Sequence, residues 1–214
     1  MKRIVLTIRV LYPFWMIIGM FALIYIPSVF LVDENPLETA KNIRADELLF
    51  RFGILANIIT QLLVVIIPIL LYRLFKPVDA SLAMFMLVFN LVAAPIALFG
   101  EVHSLLALSI LDNPLTMMEH LDIKWYSLTI ATIFWGLWLF PLGRLVIKSK
   151  YLPVWIGYCL YIGGIGYIIT ALVKIVFPEL DLVFDIAEIL TIGEVIFIIW
   201  FVIKGPKLSN ENIL

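Results

Sequence analysis

The sequence predicts an all-α integral membrane bundle of six transmembrane helices with both termini in the cytoplasm. Three observations predict it. Of 214 residues, 64% are hydrophobic and only 14% charged, which leaves too little polar surface to cover a water-soluble domain of this length. Six apolar runs, at about 11–32, 52–75, 80–99, 125–147, 152–177 and 186–203, approach or exceed the roughly 20 residues needed to cross a hydrocarbon core. The basic residues separate into two sets. Lys2, Arg3, Arg9, Arg73, Lys76, Arg144, Lys148, Lys150, Lys204 and Lys207 flank one set of run ends, and only Lys41, Arg44, Arg51, Lys124 and Lys174 flank the other. The positive-inside rule assigns the larger set to the cytoplasm, and an even number of crossings then brings both termini there. Most acids, from Asp33 to Asp185, fall on the outer side, which is compatible with this orientation.

The first run follows Met1-Lys2-Arg3 and resembles a secretory leader. It is longer than the roughly 7–15 residues of a leader's apolar region and lacks a small-x-small cleavage site, so it is read as a retained first helix. An amphipathic outer segment, about 35–50, follows it. There Asn35-Pro36-Leu37-Glu38 reads as an N-cap, a proline at the first helical position and a box-like glutamate. Glu47 and Arg51 stand one turn apart in the favourable order, so the second helix is expected to begin well outside the membrane. The third run continues past Gly100 to about Leu111; it either projects from the membrane or kinks near Pro95 or Gly100. Asn113-Pro114-Leu115-Thr116 repeats the cap pattern, which shared capping chemistry explains without an internal repeat.

Ser149 to Pro153 make a short inner turn between the fourth and fifth helices. Gly157, Gly163 and Gly166 on the fifth, and Thr129, Thr132, Gly136 and Gly143 on the fourth, form small faces for close helix approach. Tyr12, Trp15, Trp125, Tyr126, Tyr151 and Trp155 are expected in interfacial aromatic belts, with Trp135 and Trp138 deeper as packing residues. The whole chain, 1–214, reads as one transmembrane domain.

The stretch from Trp135 to Tyr167 has the skeleton Gly136, Leu142-Gly143, Lys148-Ser149, Leu152-Pro153, Gly157, Gly163 and Gly166-Tyr167. Further matches are Thr39-Ala40-Lys41-Asn42-Ile43 followed by Phe50-Arg51-Phe52-Gly53, and the run from Leu71 to Val78. Together these resemble the bacterial membrane family called domain of unknown function 4386, over most of the chain. The resemblance implies a bacterial, multi-pass protein of the cytoplasmic (inner) membrane with this helix count. It implies no activity.

Polar groups inside the apolar runs are the candidates for function, because an ionisable group at a helix centre costs about 2.5–3.5 kcal/mol to insert. Counted at about 1.5 Å per residue, Gln61, Asn90 and Glu194 share one level on three helices. On the third helix Asn90, Ala94, Ala97, Glu101 and Ser104 fall in one stripe at about 100° per residue, and Asn57 lies one turn from Gln61. The expected site is therefore a polar cavity opening outward. Gln61, Asn90 and Glu194 form its base, and Asn57, Glu101, Lys174, Glu188 and Arg51 line its mouth. The alternative is a static hydrogen-bond network joining helices, with Glu194 neutral or paired to Lys174 and the outer charges snorkelling.

No catalytic residue, metal or cofactor is assigned. Glu101 and His103 are about 200° apart on a helix, His120 is read into an outer loop, and no His-x-x-x-His or Glu-x-x-His spacing occurs. Gly-x-Ser-x-Gly, phosphate-loop and dinucleotide patterns are absent. Cys159 is the one cysteine, so no internal disulfide forms. A net charge of −1 gives no reason to expect nucleic acid. The leading reading is a membrane protein that binds or transports a small or lipophilic ligand. Against it stand a membrane-embedded enzyme using Glu194, Glu101 and His103, and a structural or partner subunit with no ligand. The bilayer is the expected partner; a protein partner or self-association is left open.

Overall fold

The computed structural model describes residues 1–208, and these are helical almost throughout. α1 (Lys2–Met20), a π-helical turn (Phe21–Tyr25) and α2 (Ile26–Phe30) form one continuous first span. Pro27 explains the π turn. It has no N–H for the carbonyl four residues back, and the Ile26 N–H reaches Phe21 O instead. The remaining elements are α3 (Pro36–Ala45), α4 (Glu47–Phe75), α5 (Ala80–Ser109), α6 (Pro114–Ser149), α7 (Val154–Val176), α8 (Asp181–Leu190) and α9 (Ile192–Ile203). Six of the resulting helical stretches are long and apolar enough to cross a membrane, α8 and α9 together making the sixth. Their outer faces are apolar: Ile17, Phe85, Ile130, Ile162 and Ile199 are all exposed.

Side-chain caps start α3 to α6. Asn35 accepts from the Glu38 N–H at 3.1 Å with Pro36 in the first turn, as the cap pattern predicts, and Asn113 accepts from the Thr116 N–H at 3.4 Å ahead of Pro114. Asp46 caps α4 through the Leu49 N–H at 3.0 Å, and Asp79 caps α5 through the Leu82 N–H at 3.1 Å. α5 runs from Ala80 to Ser109 through Pro95 and Gly100, so the third run forms one helix longer than a crossing needs. The second and fourth spans also begin earlier than their apolar runs, because polar caps rather than hydrophobicity set their first residues.

The spans pack as a ring in chain order. α1 lies on α4, α4 on α5, α5 on α6, α6 on α7 and α7 on α9, and α9 returns to α1. Glycines set the tightest approaches. Gly136 faces Gly164 O, and Gly143 faces Gly157 O, so that an added Cβ would come within 2.9 Å and 2.8 Å of those carbonyls; these pairs join α6 to α7. Gly163 and Gly166 turn the other way, onto α9 and α8. A Cβ on Gly193 would collide with the backbone of Cys159.

The basic end of the bundle is tied across helices. Arg9 donates to Val202 O at 2.8 Å and Ile203 O at 3.2 Å, satisfying carbonyls at the end of α9. Lys148 pairs with Asp79 at 2.8 Å, and Lys207 N–H reaches Tyr151 O at 2.8 Å. At the opposite end α3 folds over the bundle. Ile43 joins a core with Phe30, Phe50, Ile54, Met117 and Leu121, and Arg44 meets Asp112 at 2.6 Å.

Two predictions follow from this packing. Gly193→Ala drives a methyl into the α7 backbone, where overpacking costs about 1–3 kcal/mol. Its thermal midpoint in detergent is expected to fall by several degrees, whereas Gly19→Ala, whose Cβ would meet only Thr60 Cγ2 at an ordinary 3.7 Å, leaves it unchanged. The second concerns Asp79, whose carboxyl is held below the usual carboxylate range by the Lys148 hydrogen bond first and the Leu82 N–H second. A lowered folded value contributes stability that is complete above the ordinary carboxylate range and is lost as pH falls through the lowered value. Asp79→Asn keeps a capping oxygen but removes the charge, so its stability should fall less steeply than wild type between about pH 6 and pH 3. Equal slopes in a pH series of thermal melts would refute this.

Candidate functional site

Glu194 owes its place to a break in the sixth span. The helix is interrupted at Thr191, whose side chain donates to Glu188 O at 2.6 Å. The break is seated on the small face of α7: a Cβ on Gly166 would lie 2.7 Å from Ala187 O and 3.0 Å from Thr191 N, and one on Gly163 would lie 3.3 Å from Glu194 N. Glu194 thus falls in the first turn of α9, near the positive end of that helix. It is buried, and Tyr167 Oη donates to its Oε2 at 2.9 Å. No ion pair reaches it among the described residues.

The carboxylate faces a cavity of about 520 Å³ inside the ring, to which all six spans contribute. Gln61, Asn90 and Glu194 line it together, as their common level predicts, and Lys174 and Glu188 lie on its exposed margin. Thr60, Thr129, Thr132 and Thr170 add hydroxyls, each committed to the carbonyl one turn back in its own helix. Six aromatic side chains, Tyr12, Trp15, Trp125, Trp135, Trp138 and Tyr167, share the remaining wall with mainly aliphatic ones. Tyr12, Trp15 and Trp125, expected in interfacial belts, instead turn inward. Tyr12 packs edge-on against Phe197 and Phe201 at 6.2 Å and 6.0 Å.

Among the described residues, six buried side-chain polar atoms find no hydrogen-bond partner in the protein. Five of them belong to cavity residues: Tyr12 Oη, Trp15 Nε1, Gln61 Oε1, Asn90 Nδ2 and Trp135 Nε1. Each such group costs about 1–3 kcal/mol when left unsatisfied. The five come from four of the six spans, α1, α4, α5 and α6.

Three residues expected at the mouth lie elsewhere. Arg51 is exposed and pairs along its own helix with Glu47 at 2.6 Å, the one-turn spacing that the sequence already contains. Asn57 and Glu101 are buried beside the cavity in a separate cluster. Asn57 Nδ2 donates to Glu101 Oε1 at 2.5 Å, Lys124 Nζ meets the same oxygen at 3.2 Å, and Gln61 Nε2 reaches Asn57 Oδ1 at 3.4 Å. Gly100 permits this, since α6 passes so close that a Cβ there would lie 3.3 Å from Lys124 Cα. Lys174 does not reach Glu194; its ammonium sits over the Phe184 ring at 4.6 Å. His120 is not in a loop. It lies within α6, and its Nδ1 is 2.8 Å from Nδ1 of His103. His103 and Glu101 therefore serve different neighbours on opposite sides of α5. No group of three or more metal-ligating side chains occurs among the described residues.

Lys124 is the site residue the apolar runs conceal. Its signal is the Asn113-Pro114 cap, which starts α6 at Pro114 and makes residues up to Trp125 helical.

The family described as Domain of unknown function (DUF4386) matches residues 9–205, nearly the whole ring. The chain belongs to that family. A relative from Archaeoglobus fulgidus, described as an uncharacterized protein, is 35% identical over 163 residues, covering 74% of this chain and 87% of its own length. The match is archaeal, so likeness to this chain is not confined to bacteria. No solved structure matches this DUF4386 chain.

The Lys124–Glu101 pair generates a prediction. Removing one partner of a buried pair strands the other charge, at a cost of roughly 3–5 kcal/mol. Lys124→Met should lower the thermal midpoint strongly, and adding Glu101→Gln should restore part of the loss. A double variant no more stable than Lys124→Met alone would show that the two charges are not coupled.

Proposed function

We propose that this DUF4386 protein is a multi-pass membrane protein that binds, and carries, a small lipophilic ligand in the cavity at the centre of its helical ring. The observation that carries the reading is a 520 Å³ cavity at the centre of the ring whose wall combines six aromatic side chains with Gln61, Asn90 and Glu194. Drug-sized ligands occupy pockets of about 300–1,000 Å³ lined by apolar and aromatic side chains with a few fixed polar groups, and this wall has that composition. The crowding of Lys and Arg at the end holding Met1, Lys76, Lys150 and Lys207 supports placing that end in the cytoplasm, with the cavity margin at Lys174 and Glu188 opening outward. A bacterial inner membrane agrees with this orientation. The enzyme reading loses support, because Glu101 and His103 are engaged with different partners away from Glu194.

A neutral brominated arene tests the reading, because bromine quenches indole fluorescence on contact and four of the six tryptophans line the cavity. Quenching is expected to saturate and to be accompanied by a rise in thermal midpoint, as ligand linkage requires. Ala171 is buried on the cavity wall. Ala171→Phe, or Thr132→Phe if the first does not fold, should weaken the quenching at least tenfold. Undiminished quenching in a folded, blocked variant would place the arene outside the cavity and sink the proposal.

A further inference from the structure

We infer that the cavity selects lipophilic organic cations; this rests on the ligand-binding reading above and adds the ligand's charge. The first observation is the state of Glu194. Its carboxylate is buried, receives one hydrogen bond from a neutral phenol, and has no cationic partner among the described residues. The lysine on the cavity wall does not supply one, since Lys174 is exposed at the margin with its ammonium over Phe184. Among the wall residues one lysine stands against two acids, Glu188 and Glu194.

The contrast with Glu101 is informative. That acid is buried to a similar degree, yet it receives Lys124 and Asn57 from two neighbouring helices. The same fold thus compensates one buried carboxylate from within and leaves the other facing an open volume.

The second observation is the wall itself. Four indoles and two phenols surround the volume, and the negative face of an aromatic ring attracts a cation, most strongly for Trp and where water is excluded. A cation in the cavity would meet both the carboxylate and these ring faces. An anion would meet an acid with no cation beside it, and a neutral ligand would gain at most a hydrogen bond from Glu194. Charge is therefore the property that separates good ligands from poor ones, with bulk and apolarity required of all.

The test compares methyltriphenylphosphonium with triphenylphosphine oxide, a cation and a neutral molecule of nearly the same shape, by equilibrium binding to the purified full-length protein in one detergent. Wild type is expected to bind the phosphonium at least tenfold more tightly than the oxide. In Glu194→Gln that preference should disappear while oxide binding persists, and Trp135→Leu should weaken phosphonium binding more than oxide binding. A wild-type preference for the oxide, equal affinities, or a preference that survives in Glu194→Gln would overturn the inference while leaving the cavity as a binding site. The wild-type ratio decides even if Glu194→Gln cannot be isolated folded. If neither compound binds and the brominated arene also fails to quench, the ligand-binding reading falls together with this one.

Discussion

The approach of α9 to α7 at Gly193 is the contact on which the rest of the bundle depends. Helices in lipid gain little from burying apolar surface against each other, so association rests on close packing and internal polar contacts. Here the packing is backbone on backbone: Gly193 lies against Cys159 and Gly163, and Gly166 lies under the end of α8. That seat holds the interrupted sixth span between α7 and α1, and its position closes the ring. Arg9 then fastens α1 to the far end of α9 through two carbonyls. Move α9 outward by the width of a methyl group and the ring opens, Tyr167 loses Glu194, and the cavity loses a wall. The break at Thr191 belongs to the same arrangement, since a straight helix would not present Glu194 in a first turn.

Much of this was legible in the residues. Depth counting brought Gln61, Asn90 and Glu194 to one level, and they line one cavity. The cap at Asn35-Pro36 and the pair Glu47–Arg51 form as their spacing requires. Two kinds of information were not. Hydropathy marks where apolar residues lie, whereas capping decides where a helix starts. The fourth span was therefore read from Trp125 although Asn113-Pro114 begins it, and Lys124 and His120 were assigned to the outside. Spacing within one helix also says nothing about how that helix is rotated against its neighbours. Tyr12, Trp15 and Trp125 have the composition of an interfacial belt, and only the ring shows them turned inward. Asn57 precedes Gln61 by one turn on the same face, yet its amide is donated to Glu101, with which Lys124 also pairs, and not to the cavity.

The two buried glutamates separate what holds the fold from what the fold holds. Burying a charge is tolerated when geometry and hydrogen bonds repay the loss of water, and at Glu101 the repayment comes from Lys124 and Asn57, groups fixed on α6 and α4. That arrangement is closed: a further charge brought near it would compete with an ammonium already in place. Glu194 is open in the same sense, since its one bond is to a phenol and its remaining capacity faces a volume. The α7–α9 contact is made mainly by backbone and glycine, and Glu194 adds one side-chain bond to it through Tyr167. The rest of that acid's hydrogen-bonding capacity is turned toward the cavity and is the part that the ligand-binding proposal uses.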